Sequence, residues 1–284
     1  MNLFAGLSVA LATPFTPDFA VDLPAFRRVV RHVVDGGVDN LVVLGSTGEA
    51  ATILEAERDA LISACLEEAG SCPVVVGTGS NATAQTAAWT RRAQELGAQG
   101  ALVVTPYYNK PTPGGLVAHY QAVTQAASGL PVIIYNVPGR TGLNLLPSTL
   151  ALLWENPQLV AVKESSGNLA QISEIARTLP QGKTLLSGDD GLALASIAVG
   201  ASGLVSVLGN VLPRETKHLV ELALHQALLP FMDALFLESN PIPTKAALAL
   251  KGICGDTLRL PLVAASAATR ARLAELLATS VGVA

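Results

Sequence analysis

Charged and aromatic residues are scarce in this sequence. They make up 14% and 4% of its 284 residues, and the net charge at pH 7 is −4. No basic run is present that could neutralise phosphates, so the composition argues against nucleic acid as a partner. Hydrophobic residues reach 50%, which is enough for a large core and predicts that part of the surface is apolar and buried between subunits.

Signals for membrane insertion and export are also missing. No apolar stretch approaches the roughly 20 residues that a bilayer span needs. The first ten residues contain no Lys or Arg, and the apolar run that follows is broken at Pro14. The three cysteines, Cys65, Cys72 and Cys254, are odd in number and have no CxxC spacing. These absences predict a cytoplasmic protein with reduced thiols and no membrane partner.

Signatures of several enzyme classes are absent as well. No GxSxG segment supports acyl transfer, and no GxGxxG segment follows the first predicted strand. His218 and His225 lack the i, i+4 spacing of a helical zinc pair. Asp189 and Asp190 are expected to begin a helix as N-terminal acids rather than to bind a metal ion. We therefore predict no metal and no cofactor.

Short apolar runs alternate with longer amphipathic ones along the chain. Eight short runs are rich in Val, Ile or Leu without polar alternation, which is typical of parallel strands buried on both faces. Eight such strands alternating with helices predict an α/β fold, a (β/α)8 TIM barrel. The predicted strands are Leu7–Ala12, Asn40–Leu44, Pro73–Gly77, Ala101–Thr105, Pro131–Tyr135, Leu159–Lys163, Thr184–Ser187 and Gly203–Val207.

Capping residues mark the ends of two predicted helices. Asp22 is a predicted N-cap, and Gly36-Gly37 predicts the end of that helix. Asn81 is predicted to cap a later helix that ends at Gly97.

The sequence after the eighth strand contains more helix than a minimal barrel requires. The helical patterns are Pro213–Glu238, Pro243–Cys254 and Leu262–Thr279. They predict a helical C-terminal extension, residues 226–284, packed on a catalytic barrel of residues 1–225.

Lys163 lies within an apolar predicted strand, after Leu159-Val160-Ala161-Val162. An ammonium is unfavourable among apolar side chains, so burial favours the neutral amine. The neutral amine attacks carbonyl carbons to form a Schiff base. The alternative is a lysine whose ammonium reaches solvent or pairs with Glu164, and the strand taken alone favours this alternative.

The residues that follow the predicted strands favour the Schiff base instead. Functional groups in a barrel gather at the carboxyl ends of its strands, and three of the chain's four tyrosines fall there with several hydroxyl residues. A tyrosine beside an imine can give and take protons, helped by a chain of hydroxyls. Backbone N–H groups of the loop Gly45–Glu49 could approach a carboxylate, although the loop alone is typical of an ordinary turn.

Several motifs occur in a recognisable order over essentially the whole chain. With their spacing, they resemble the dihydrodipicolinate synthase family, one branch of the pyruvate-dependent class I aldolases that include N-acetylneuraminate lyase. The motifs are Gly45-Ser46-Thr47-Gly48-Glu49, Thr105-Pro106-Tyr107-Tyr108-Asn109-Lys110-Pro111, Tyr135-Asn136-Val137-Pro138-Gly139-Arg140-Thr141-Gly142, Val162-Lys163-Glu164, Leu186-Ser187-Gly188-Asp189-Asp190, Asn240-Pro241-Ile242-Pro243 and Asp256-Thr257-Leu258-Arg259-Leu260-Pro261.

The resemblance implies four catalytic residues. Lys163 would form the Schiff base with pyruvate, and Tyr135 would be the general acid and base beside it. Ser46 and Tyr108 would complete a proton relay, with Tyr108 reaching in from a neighbouring subunit. The family is usually a homotetramer of two tight dimers, and we expect the same here.

The resemblance also implies four substrate-binding positions. Thr47, the backbone of Val205 and Gly188 would hold pyruvate. Arg140 would bind the carboxylate of L-aspartate-4-semialdehyde, and the product would enter lysine and diaminopimelate biosynthesis.

Ser46 stands where many family members have Thr, and sialate lyases often have Ser there. A sugar-acid lyase acting on N-acetylneuraminate or 2-keto-3-deoxygluconate is therefore the alternative. Arg140 favours the synthase, because a guanidinium suits a short carboxylate-bearing aldehyde and sialate lyases lack it in this motif. A barrel without enzymatic activity is disfavoured because Lys163, Tyr135, Tyr108 and Thr47 are all present.

Inhibition by lysine is expected to be weak or absent. Members that lysine inhibits bind it near the positions occupied here by Ala50, Glu55, Arg58, Asn81, Gln85 and Tyr107. Gln85 replaces an acidic residue that would pair with the ammonium, and Glu55 and Arg58 replace histidines.

Overall fold

The computed structural model describes residues 4–218 and 222–280. Its strands are β1 (Gly6–Ala10), β2 (Asn40–Val43), β3 (Val74–Gly77), β4 (Gly100–Val104), β5 (Val132–Asn136), β6 (Leu159–Glu164), β7 (Thr184–Ser187) and β8 (Gly203–Ser206). They form a closed barrel in chain order, with parallel pairing. The predicted α/β barrel is therefore confirmed.

Helices separate the strands along the chain. The first eight are α1 (Leu23–Asp35), α2 (Glu55–Glu68), α3 (Thr83–Glu95), α4 (Pro113–Ala126), α5 (Pro138–Thr141), α6 (Pro147–Leu153), α7 (Leu169–Thr178) and α8 (Ala193–Ala198). A 3-10 turn (Leu208–Asn210), α9 (Pro213–Lys217), α10 (Leu222–Ala234), α11 (Ile242–Leu250) and α12 (Ala267–Ser280) follow β8. None of the helices in the described ranges is long and apolar enough to cross a membrane.

The predicted C-terminal helices are present with shifted boundaries. The pattern predicted as one segment, Pro213–Glu238, contains α9 and α10, and residues 219–221 between them lie outside the described residues. The division of the chain at residues 225 and 226 stays a prediction, and it falls within α10.

One helix cap was predicted correctly and one was not. Asp22 is the N-cap of α1, where its carboxylate accepts a hydrogen bond of 2.9 Å from Ala25 N–H. Ala82, and not Asn81, occupies the N-cap position of α3. Asn81 belongs instead to the preceding loop, where its carbonyl accepts a hydrogen bond from Asn109 Nδ2.

The chain folds as two compact units, one of residues 4–6 and 73–205 and the other of residues 7–72 and 206–280. The core of the first unit lies between strands β4 to β7 and helices α4, α6 and α7. Its largest fully buried member, Tyr120, donates a hydrogen bond to the carbonyl of Val103. In the second unit, α1 buries an apolar face that contains Phe26, Val29 and Val33.

His119 is a buried histidine of α4. Only 3% of its surface is exposed, its Nδ1 lies 2.9 Å from Thr83 Oγ1 at the start of α3, and its Nε2 is buried without a hydrogen-bond partner. Burial lowers the pKa of His119 to about 4, because the charged ring would be desolvated.

We predict that His119 destabilises the fold in mild acid. Between its ordinary pKa of about 6.5 and the folded value, the unfolded chain binds more protons, so the free energy of unfolding falls as the pH drops, by roughly 2 kcal/mol at pH 5. Urea unfolding at pH 7 and pH 5 measures this loss. His119→Gln should reduce it, whereas His218→Gln, at an exposed histidine, should retain it. An equal loss in both variants would contradict the prediction.

Candidate active site

Parallel pairing of β5 with β6 places Lys163 directly beside Tyr135. The two residues are partners in the strand register, and Lys163 Nζ lies 4.3 Å from the centre of the Tyr135 ring. They are 5% and 7% exposed. The geometry therefore combines a buried amine with a phenol that can donate or accept a proton, as the sequence predicted for a Schiff-base site.

Glu164 faces away from this pair, because successive residues of a strand point to opposite sides of the sheet. Its Oε2 accepts hydrogen bonds from Asn136 Nδ2 at 2.9 Å and from Gln171 Nε2 at 3.4 Å, and its Oε1 accepts one from Ser166 N–H at 2.7 Å. These hydrogen bonds hold the Glu164 carboxylate on the helix side of the barrel, where it has a structural role. The alternative in which it pairs with Lys163 is therefore not adopted.

Gly188 provides the space that the Lys163 side chain occupies. It follows β7, and its N–H donates to the carbonyl of Glu164 at 2.8 Å. A Cβ atom at Gly188 would lie 2.8 Å from Lys163 Cε and 1.7 Å from Ser165 Oγ, both of which are too close. On the next strand, β8, Val205 is fully buried.

Asp189 interacts with Lys163, which the sequence analysis missed. The prediction that Asp189 and Asp190 begin a helix was wrong, since α8 starts at Ala193 and the acids lie in the turn before it. Burial raises the pKa of Asp189, and the charge of Lys163 opposes part of that rise. The sequence could have indicated this contact, because Asp189 follows β7 and β7 pairs with β6, the strand that contains Lys163.

Tyr108, in the loop after β4, contacts α5, the helix of the same unit that contains Arg140. Tyr108 N–H donates to the carbonyl of Thr141 in α5 at 3.3 Å, and Arg140 is an exposed residue of α5. The Tyr108 side chain is 88% exposed, and its backbone has a φ of 72°. A positive φ is uncommon for a residue other than glycine, and here it accompanies a ring that projects into solvent.

Ser46 and Thr47 belong to the other unit, in the loop that follows β2. Ser46 is half-buried and Thr47 is 2% exposed. Within this loop the N–H groups of Gly48 and Ala50 donate to the carbonyl of Gly45, and that of Glu49 donates to the carbonyl of Ser46. Two of the five backbone N–H groups of Gly45–Glu49, those of Gly48 and Glu49, are thus used inside the loop and are not directed at a carboxylate.

A buried ion pair anchors the end of this loop. Lys245 Nζ of α11 lies 2.7 Å from Glu49 Oε1 and donates to the carbonyl of Thr13 at 3.0 Å, and both charged side chains are almost fully buried. Burial raises the pKa of Glu49, and the Lys245 ammonium opposes the rise. The N–H of Arg259 also donates to Glu49 Oε2 at 3.2 Å. Two donors, Lys245 Nζ and Arg259 N–H, thus stabilise this carboxylate, and removing Lys245 would leave its charge without a buried counter-charge.

Thr47 itself contacts the residue that precedes the α11 segment. Asn240 Nδ2 donates to Thr47 Oγ1 at 2.9 Å, and Thr244 Oγ1 donates to Asn240 Oδ1 at 3.1 Å. The sequence analysis used Asn240 only as part of a motif and gave it no role. Among the residues that the structure describes, no group of three or more His, Cys, Asp or Glu side chains could hold a metal ion.

Comparisons with known proteins agree with the motifs. The family model of the dihydrodipicolinate synthetase family matches residues 3–280. A 4-hydroxy-tetrahydrodipicolinate synthase of Pelobacter propionicus is 42% identical over 282 residues, which cover 95% of this chain and 97% of that protein.

Solved structures give the same result. The crystal structure of dihydrodipicolinate synthase from Thermotoga maritima has a TM-score of 0.95 and 40% sequence identity, over 98% of this chain and 99% of that one. The enzyme from Cyanidioschyzon merolae, solved with lysine bound, has a TM-score of 0.95 and 36% identity, over 99% of both chains.

We predict that Gly188→Ala disables Lys163 without unfolding the protein. The new methyl group would displace the Lys163 chain, and a misplacement of about 1 Å typically costs roughly 100-fold in rate. The measurement is the rate at which borohydride traps Lys163 in the presence of pyruvate. Gly114→Ala, where a Cβ atom meets nothing within 4 Å, is the matched control and should react normally. Normal trapping in Gly188→Ala would contradict the prediction.

Proposed function

The chain belongs to the dihydrodipicolinate synthetase family, and from this premise we propose that it condenses pyruvate with L-aspartate-4-semialdehyde. The product is 4-hydroxy-tetrahydrodipicolinate, an intermediate of lysine and diaminopimelate biosynthesis. The observation that carries the proposal is the buried amine of Lys163, 4.3 Å from the Tyr135 ring, within the family's own motifs. The protein is accordingly a Schiff-base-forming lyase.

The chemistry begins at Lys163. Its neutral amine attacks the keto carbon of pyruvate, water leaves, and a protonated imine forms. Loss of a methyl proton gives an enamine, whose carbon forms a bond to the aldehyde carbon of the semialdehyde. The amino group of the semialdehyde then attacks the imine carbon, which closes the ring and releases Lys163.

Proton transfer is assigned to Tyr135, with Ser46 and Tyr108 as the relay. Tyr135 is supported by its contact with Lys163. The roles of Ser46 and Tyr108 are inferred from the family resemblance and from their positions after β2 and β4.

Tyr135→Phe should slow turnover by roughly 100- to 10,000-fold, the usual effect of losing a general acid or base.

Substrate binding is assigned to four other positions. Thr47, Gly188 and the backbone of Val205 hold pyruvate, and Arg140 binds the carboxylate of the semialdehyde. The exposure of Arg140 on α5 supports its role toward the second substrate, which arrives after pyruvate has reacted. A guanidinium binds a carboxylate through two parallel hydrogen bonds.

We also propose a homotetramer built from two dimers, with Tyr108 shared across each dimer. The support is the 88% exposure of an aromatic ring that the backbone, with its φ of 72°, holds outward. The helical extension from residue 226 is proposed to pack on the barrel. A reaction on free metabolites supports a cytoplasmic location.

The decisive experiment is turnover of pyruvate with L-aspartate-4-semialdehyde, coupled to the NADPH-dependent reductase that follows. We expect turnover in the unmodified protein and essentially none in Lys163→Ala, because the imine cannot form. Lys183→Ala, at a lysine that donates to the carbonyl of Leu159 at the start of β6, is the control and should remain active. Release of pyruvate from N-acetylneuraminate or 2-keto-3-deoxygluconate, without synthase turnover, would contradict the proposal and favour the lyase.

Lysine is predicted to inhibit weakly or not at all. Arg58 is 4% exposed and keeps a pKa of about 10 after burial has lowered it, so it remains positively charged at neutral pH and opposes a lysine ammonium. Gln85 offers an uncharged amide where an acid would pair with that ammonium. Initial rates with added lysine test this prediction, and inhibition at submillimolar lysine would overturn it. Arg58→His with Gln85→Glu should increase any inhibition.

A further inference from the structure

Asn240, far along the chain, determines that the hydroxyl oxygen of Thr47 accepts a hydrogen bond. Asn240 Nδ2 donates to Thr47 Oγ1 at 2.9 Å, and the three residues Thr47, Asn240 and Thr244 are 2%, 5% and 0% exposed. Water therefore has little access to this contact.

Thr244 determines which end of the Asn240 amide faces Thr47. Thr244 Oγ1 donates to Asn240 Oδ1 at 3.1 Å, so the amide oxygen is held toward Thr244 and the amide nitrogen toward Thr47. An amide nitrogen can only donate, and a hydroxyl has one proton to donate besides its lone pairs. With its oxygen accepting from Asn240, Thr47 must direct its own proton to another acceptor.

The Lys245–Glu49 ion pair holds the same loop two residues further on. Glu49 has a φ of 54°, an uncommon conformation for a residue other than glycine, and the buried contact with Lys245 at 2.7 Å maintains it. Asn240 and Lys245, five residues apart, therefore contact the loop at Thr47 and Glu49. This leaves Thr47 little freedom to reorient.

We propose that Asn240 is a positioning residue, which turns the Thr47 O–H toward the carboxylate of pyruvate. The inference rests on the proposed function, in which Thr47 holds pyruvate. Asn240 does not touch the substrate in this account. It determines that Thr47 meets the substrate as a hydrogen-bond donor, which is the role that a carboxylate requires.

Asn240→Asp tests the proposal because the two side chains have the same shape. A carboxylate would accept the Thr47 proton and withdraw it from pyruvate. Loss of a hydrogen bond to a charged group should raise the KM for pyruvate roughly 10- to 100-fold. The KM for the semialdehyde and the kcat at saturating pyruvate should stay unchanged. An unchanged pyruvate KM in the folded variant would overturn the proposal.

A second pair of variants tests the proposal independently, in case Asn240→Asp does not fold. Thr244→Val frees the amide to rotate and should raise the pyruvate KM by a smaller factor. Thr216→Val is its matched control, since Thr216 is a buried threonine that donates to Leu212, four residues earlier, in α9. Thr216→Val should leave the pyruvate KM unchanged, and an equal rise in both variants would overturn the proposal.

The pyruvate concentration that gives half-maximal borohydride trapping distinguishes a failure of the proposed function from a failure of the proposed role of Asn240. Trapping requires only the imine, so the proposed shift can be measured whatever the second substrate is. If the unmodified protein is never trapped by pyruvate, the proposed function fails. If all variants are trapped at the same pyruvate concentration as the unmodified protein, only the role of Asn240 fails.

Discussion

Parallel pairing of β5, β6 and β7 holds Tyr135, Lys163 and Leu186 side by side across three neighbouring strands. The candidate active site depends on this register. A shift of one residue would exchange Lys163 with Glu164, since successive side chains of a strand point to opposite faces. The amine would then point toward the helices, and the carboxylate would occupy its place beside Tyr135.

The same alternation keeps two kinds of polar chemistry apart on one strand. On the helix side, Glu164 accepts hydrogen bonds from Asn136 and Gln171, so its charge is stabilised by dipoles. On the opposite face, Lys163 has the Tyr135 ring and the carboxyl of Asp189 nearby. The absence of a Cβ atom at Gly188 gives the lysine chain its path. Burial of β6 thus favours a reactive amine at Lys163 on one face and a rigid hydrogen-bonded carboxylate at Glu164 on the other.

The sequence was sufficient for the barrel and for the Lys163–Tyr135 pair. Runs of Val, Ile and Leu identify strands buried on both faces, and two residues at the ends of neighbouring parallel strands must be close. Cap positions were harder, because Asp22 binds its own helix whereas Asn81 takes part in a loop contact with Asn109. Local propensity alone does not distinguish these two cases.

The contacts of Asn240 and of Lys245 in α11 could not be predicted from local pattern. Asn240 and Thr47 are separated by 193 residues, and Lys245 and Glu49 by 196. Only the folded chain brings such residues together. A lysine and an asparagine in a C-terminal helical segment are ordinarily solvent-facing, and burial of Lys245 is stable only because Glu49 and the Thr13 carbonyl surround its ammonium.

The most direct test of the account is to identify the lysine that reacts with pyruvate. The protein would be treated with pyruvate and borohydride, digested, and analysed by peptide mass spectrometry. We expect the modification on Lys163 alone. Modification of Lys245, the other deeply buried lysine of the described chain, or of no lysine at all, would contradict a Schiff base at the strand β6 position.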